Sequence, residues 1–241
     1  CTASITNTIR RNDEQSRLMN NLCIYYRQLG DYEMAISYIE QAIALTEEFG
    51  GDNEISRWSG TLGETYILMG DYEKAKPILI EAVDMWLNTK FLNTHLLIEL
   101  ARLLWYMGDI ETAHQYISID EKYDADDRSL MWVMRGCIEL SRKNHQQAQT
   151  HFEQALAWSS RYIAQTQELF CEHDVQGLAY VGLWCISDDE TYLNHAPKAY
   201  QTARRICGAK GVIVENRQML NTLMTYAQKS HPTIGGLLHG E

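Results

Sequence analysis

Apolar positions along this chain recur at helical spacing, in two blocks separated by a polar turn, and the double block repeats. Leu22, Cys23 and Tyr26 lead into Gly30-Asp31-Tyr32-Glu33, after which Ala35, Ile39 and Ala42 follow. The same order returns as Leu62, Gly63, Tyr66, then Gly70-Asp71-Tyr72-Glu73, then Ala75, Leu79 and Ala82. Leu100, Ala101 and Leu104 precede Gly108-Asp109-Ile110-Glu111 and Ala113, and Trp132, Gly136 and Leu140 precede Lys143-Asn144-His145 with Ala148, Phe152 and Ala155. Spacings of three, four and seven place each set on one helical stripe. The chain is therefore expected to fold as pairs of amphipathic helices with a tight turn inside each pair.

The polar residues fit that reading. Asp31, Asp71 and Asp109 stand where an N-cap belongs, and Gly30, Gly70 and Gly108 stand just past a helix end, where φ is often positive. Cys23, Gly63, Ala101 and Gly136 put a small side chain where a neighbouring helix must come close. Pro77 falls inside a second helix and predicts a local kink. A helix running past Trp158 is expected to extend through the Tyr162 to Cys171 region. A fifth pair is drawn from Val175 to Tyr180 and from Ala196, Tyr200 and Ala203, joined by a long polar connector from Ser187 to Asn194. Residues Val214 to Ala227 read as a capping helix and the segment from Ser230 as a frayed tail.

Aligned on the turns, the units start near residues 16, 56, 94 and 129, which are 40, 38 and 35 residues apart. A stack of similar units follows, rather than one closed core. With Leu62-Gly63, Tyr66, Ala75 and Ala82, and again Trp132, Gly136, Ala148, Phe152 and Ala155, the chain resembles the tetratricopeptide repeat (TPR) family, whose repeat is about 34 residues long. Copy three departs from the pattern after Ala113, with Asp120 where an Ala belongs.

The resemblance implies an all-α fold, a right-handed α-solenoid of TPR-like helix-turn-helix repeats closed by a C-terminal capping helix. Residues 1–15 form an N-terminal segment, 16–160 four repeats, 161–229 a degenerate fifth pair with the cap, and 230–241 a flexible tail. Ala203 to Val212, including Arg204-Arg205 and Gly208-Ala209-Lys210-Gly211, more weakly resembles the TPR sensor region of bacterial STAND-type regulatory ATPases. That likeness implies a piece of a larger switch protein.

First helices of such repeats line a groove that holds a peptide or protein segment. Carried onto this sequence, the partner-binding candidates are Arg17, Asn20 and Arg27 in copy one, Arg57 and Glu64 in copy two, and Arg102, Trp105 and Tyr106 in copy three. The carboxylate clamp of some members requires Lys and Asn where this chain has Asn20 and Ile24, so that specificity is not expected. The arginines would steer acidic groups, and Trp105 and Tyr106 would either add apolar contact or pack against the next helix.

The formal net charge of −11 opposes binding to nucleic acid, whose phosphates require a basic surface. No run approaches the roughly 18 apolar residues a membrane span needs. None of the six cysteines forms a CxxC pair, which suits reduced thiols and a cytoplasmic location. Cys1 leaves a lipid anchor as the alternative, and a first residue other than Met also suits a fragment of a longer protein. The chain carries neither HExxH nor GxSxG, and Gly208 to Gly211 lacks the spacing of a phosphate loop. Cys171, His173 and Asp174 are ligand types at spacings that point apart on a helix. No metal, cofactor or catalytic residue is expected. The expected function is a non-catalytic scaffold for a protein or peptide segment, or the partner-sensing region of a larger ATPase or transcription regulator, engaging an upstream domain of the same polypeptide.

Overall fold

A computed structural model describes residues 2–48, 51–88, 94–119, 128–166 and 168–239. Cys1 and Asp120 lie outside these ranges. The described residues form twelve helices and no strand. In order they are α1 (Thr2–Leu29), α2 (Tyr32–Glu47), α3 (Asp52–Met69), α4 (Tyr72–Leu87), α5 (Thr94–Tyr106), α6 (Ile110–Ser118), α7 (Arg128–Ser141), α8 (His145–Gln165), α9 (Phe170–Ser187), α10 (Glu190–Ile206), α11 (Lys210–Ala227) and α12 (Pro232–His239). Helices pack in successive pairs, α1 with α2, α3 with α4, α7 with α8 and α9 with α10. This is the all-α, repeated helix-turn-helix class expected from the sequence. The chain divides into two compact units, Cys1–Leu103 and Leu104–Glu241.

The turns form as their residue types dictate. Gly30, Gly70 and Gly108 adopt φ of 83°, 78° and 85°, the left-handed region that costs a residue with a Cβ about 1–2 kcal/mol. Gly30 N–H donates to the Arg27 carbonyl and Asp31 N–H to that of Tyr26, which satisfies two carbonyls at the end of α1. Asp31 and Asp71 then cap the following helices, accepting from Met34 N at 3.2 Å and Lys74 N at 3.3 Å. Asp109 occupies the same cap position without a side-chain bond. In copy four Lys143 holds the left-handed position at φ 63° and makes the same pair of turn bonds.

Small residues on first helices admit large ones from second helices. A Cβ placed on Gly63 would lie 2.5 Å from Leu79 Cγ, one on Gly136 2.6 Å from the Phe152 ring, and one on Gly177 2.6 Å from the Tyr200 ring. Phe152 also presses on Gly182 of α9, so one buried ring seats two first helices. In the first unit Cys23, Ala35, Ile39, Ala42, Trp58 and Leu62 form one buried cluster, and the Trp58 indole N–H donates to Thr46 Oγ1 at 3.2 Å.

Several boundaries differ from those read in the sequence. Helix α1 begins at Thr2, so the segment before residue 16 continues into the first helix of copy one. Helix α8 ends at Gln165, where Thr166 turns extended, and α9 starts at Phe170, so no single helix crosses 162–171. The connector before α10 is only Asp188 and Asp189. Asp188 takes the left-handed conformation at φ 57°, and Asp189 caps α10 by accepting from Thr191 N at 2.9 Å. A left-handed backbone turn and a side-chain cap thus replace the long loop. Helix α4 runs unbroken across Pro77, and α10 across Pro197. Beyond the capping helix α11, residues 232–239 form α12, opened by a proline at its first position and held by the buried Ile234.

Candidate functional site

In the first unit, the first helices α1, α3 and α5 bound a cavity of about 240 Å³. Its lining includes Asn20, Ile24 and Arg27 from α1, Arg57, Thr61 and Glu64 from α3, and His95 from α5. Four of the sequence candidates, Asn20, Arg27, Arg57 and Glu64, therefore meet in one place. Helical spacing explains this. Residues 20, 24 and 27 share one stripe, and so do 57, 61 and 64.

Glu64 is the hub. It is 5% exposed, one carboxylate oxygen accepts from Arg27 Nη1, and the other pairs with His95 Nε2. A buried carboxylate tolerates its loss of water only when so paired. Arg57 is exposed, lies 5.3 Å over the Trp58 ring, and forms no ion pair with the other described residues. Asn20 is 8% exposed and its Oδ1 is buried with no hydrogen-bond partner among the described residues. The cavity thus offers an uncommitted cation and an uncommitted amide beside a balanced pair.

The other sequence candidates sit differently. Arg17 is exposed on α1 and bonds Asp13 one turn earlier at 3.0 Å. Arg102 is 3% exposed and pairs with Glu99. Trp105 is fully buried, its indole N–H donates to Ser141 Oγ at 2.8 Å, and it stacks on Tyr226 at 5.9 Å. Of the two roles open to Trp105 in the sequence, packing is the one its side chain performs. Tyr106, half-buried, lies against Trp105 with ring centroids 5.5 Å apart. The sequence reading did not single out Thr61 or Leu96 for this cavity. Thr61 was within reach of the 57 and 64 stripe, whereas Leu96 depends on where α5 crosses α3.

Glu64, His95 and Glu99 bring three metal-ligating atoms within 4.8 Å of one another. Arg27 and Arg102 already engage the two carboxylates and supply the positive charge a cation would bring. Among the described residues, Glu168, Cys171 and His173 form no such group. Burial pushes the Cys185 thiol up to about 12 and raises Cys23 and Cys137 as well, so these sulfurs stay protonated and poorly nucleophilic. The described cysteines from Cys23 onward are free thiols. Gly208 and Ala209 lie in the α10 to α11 connector and Lys210 and Gly211 open α11, and the C-cap of α10 is an extended Cys207 rather than a left-handed glycine.

The second unit carries its own cavity between α7, α9 and α11, of about 380 Å³. Leu130 and Val133 of α7 line it together with Val175, Leu178 and Met219. Asp174 stands at its wall, accepting from both Arg204 and Asn216 Nδ2, the latter at 3.0 Å. Burial pushes the Asp174 carboxyl up to about 7, against the opposing pull of Arg204 and Asn216.

Two family models described as tetratricopeptide repeat match residues 14–88 and 130–162. Among solved structures, the chain is similar to a variant of the nearly identical TPR-like repeats from a Podosopora anserina protein assigned as a kinesin light chain. That match has 17% identity, covers 90% of this chain and 98% of that one, and has a TM-score of 0.52. PilW, a type IV pilus biogenesis factor, aligns at 12% identity over 92% of this chain and 98% of its own, with a TM-score of 0.53. The APC/C hetero-tetramer Cut9–Hcn1 aligns at 13% identity over 98% of this chain and 44% of that one, with a TM-score of 0.55. Likeness at these identities establishes the fold. No curated protein matches the chain significantly. No helix of the described residues is long and apolar enough to cross a membrane.

Proposed function

The chain belongs to the tetratricopeptide repeat family through its repeats at 14–88 and 130–162, and from that premise we propose a protein-binding scaffold that grips an extended, acidic peptide segment along α1, α3 and α5. The supporting observation is the convergence of Asn20, Arg27, Arg57 and Glu64 on one cavity, with Arg57 free of any ion pair and the Asn20 amide oxygen unpartnered among the described residues. In this reading Arg57 receives a carboxylate in a forked, charge-assisted contact, and Asn20 accepts from a main-chain N–H of the bound segment. Arg27 is held in place by Glu64 and sets the positive side of the cavity. The segment belongs to a separate protein or to an upstream domain of the same polypeptide, and its binding involves no chemical step. A cytoplasmic setting suits the free thiols.

The test is a fluorescence-anisotropy comparison of labelled peptide pools, acidic against basic and neutral, on wild-type chain and on Arg57→Glu. The reading expects the acidic pool to bind preferentially and Arg57→Glu to reverse that preference without changing the helical content. Equal binding of all pools, or an unchanged preference in Arg57→Glu, rejects it.

A further inference from the structure

Helices α10, α11 and α12 border an open cavity of about 510 Å³ into which the sequence's small basic cluster falls. Arg204 and Arg205 of α10 and Arg217 of α11 all line it, and no carboxylate does so among the described residues. Three guanidiniums around one hollow run against the chain's net charge of −11. Two of them keep an unspent donor. The Nε atoms of Arg204 and Arg217 are buried without a hydrogen-bond partner, and Arg217 forms no ion pair, among the described residues. Tyr200, 7% exposed and lining the same cavity, keeps a buried hydroxyl with no partner among the described residues.

Buried donors left unmet are costly, and more so when charged, so folded proteins seldom keep several together without something that meets them. The walls opposite are apolar, with Ile213, Leu220 and Leu237 facing the same space. A hollow of this size with apolar walls and a few convergent polar groups is the form small-molecule sites take. Arg204 also donates to Asp174, which fixes one edge of its guanidinium, while Arg205 is exposed and reaches only Thr202 among the described residues, at 3.2 Å.

We propose that this cavity is a binding site for a small organic anion, with a carboxylate or phosphate head held by Arg217, Arg204 and Tyr200 and an apolar body against Ile213, Leu220 and Leu237. The site is separate from the groove on α1, α3 and α5, and it stands or falls independently of the function proposed for that groove. Guanidinium forks match the geometry of both head groups, so the chemistry shared by carboxylate and phosphate defines the ligand.

Isothermal titration of the full chain with hexanoate, hexyl phosphate and hexanol separates the contributions. The expected result is a Kd at or below about 1 mM for at least one anion, with hexanol at least about tenfold weaker. Binding of hexyl phosphate alone identifies a phosphate head, and of hexanoate alone a carboxylate head. Arg217→Gln, which leaves the Arg204–Asp174 pair intact, should weaken the anion at least about tenfold and leave hexanol unchanged. If that variant loses its helical signal, Tyr200→Phe, which removes only the unpartnered hydroxyl, carries the same comparison. Absence of anion binding, equal binding of hexanol, or anion affinity unchanged in the folded variant overturns the proposal.

Discussion

The Phe152 ring occupies the space that a side chain on Gly136 would need: a Cβ there would fall 2.6 Å from Phe152 Cδ1 and Cε1. Phe152 is fully buried and also abuts Gly182, so it has no free side toward which to retreat. Gly136→Ala should therefore destabilise the chain by about 1–3 kcal/mol through overpacking, despite alanine's better helix propensity. Urea denaturation measures this, and a neutral or stabilising result would show that α7 and α8 can separate at no cost.

Lys143 should be replaceable with gain. It holds φ 63° where three other turns use glycine, and it makes the same backbone bonds to Leu140 and Glu139. Lys143→Gly removes the left-handed strain while loosening the unfolded chain, leaving a net stabilisation of about 0.5–1 kcal/mol. A fall in the denaturation midpoint would mean that the lysine side chain stabilises the turn by more than its backbone strain.

Glu64 carries a larger share. Glu64→Gln leaves Arg27, 18% exposed, without its counter-charge and should cost about 2–3 kcal/mol. The double variant Arg27→Met with Glu64→Gln should recover part of that loss, because no charge is then stranded. Equal loss in single and double variants would assign the cost to packing around residue 64 instead.

Asp174 gives the chain a pH signature. Its folded pKa of about 7 stands above the ordinary carboxylate range of about 4, so between those values the folded chain keeps a proton that the unfolded chain has released. This contribution is fully present below about pH 4 and is lost as pH rises through 7. Asp174→Asn stays neutral throughout, so its stability relative to wild type should climb from pH 4 to 7 and then level off. Thermal melts of both proteins across pH 4 to 8 read the difference directly. A relative stability that falls with rising pH would show that Arg204 holds the carboxylate charged.

The helix pairs and turns were legible in the sequence because their signals are local. Asp31 and Asp71 cap, Gly30 and Gly70 take positive φ, and Gly63 and Gly136 receive Leu79 and Phe152, each within a single pair. Connectors were less legible, since Asp188 and Asp189 close in two residues a join that composition alone makes long. The site was only partly readable. Repeat register gathers Asn20, Arg27, Arg57 and Glu64 on one face, but register cannot tell an exposed face from one covered by the next helix, as at Arg102 and Trp105. The arginine-lined cavity was out of reach, because it depends on α12 folding over residues that are adjacent only in space.

One side chain of α3, Glu64, engages α1 through Arg27 and α5 through His95. Linear arrays transmit stability only between neighbours, so most of their residues report on a single joint. A carboxylate shared by two joints makes both yield together, and a segment straddling α1, α3 and α5 meets a platform whose three rungs keep step. Amide hydrogen exchange should then register the three helices as one opening event, with one common free energy rather than a staircase.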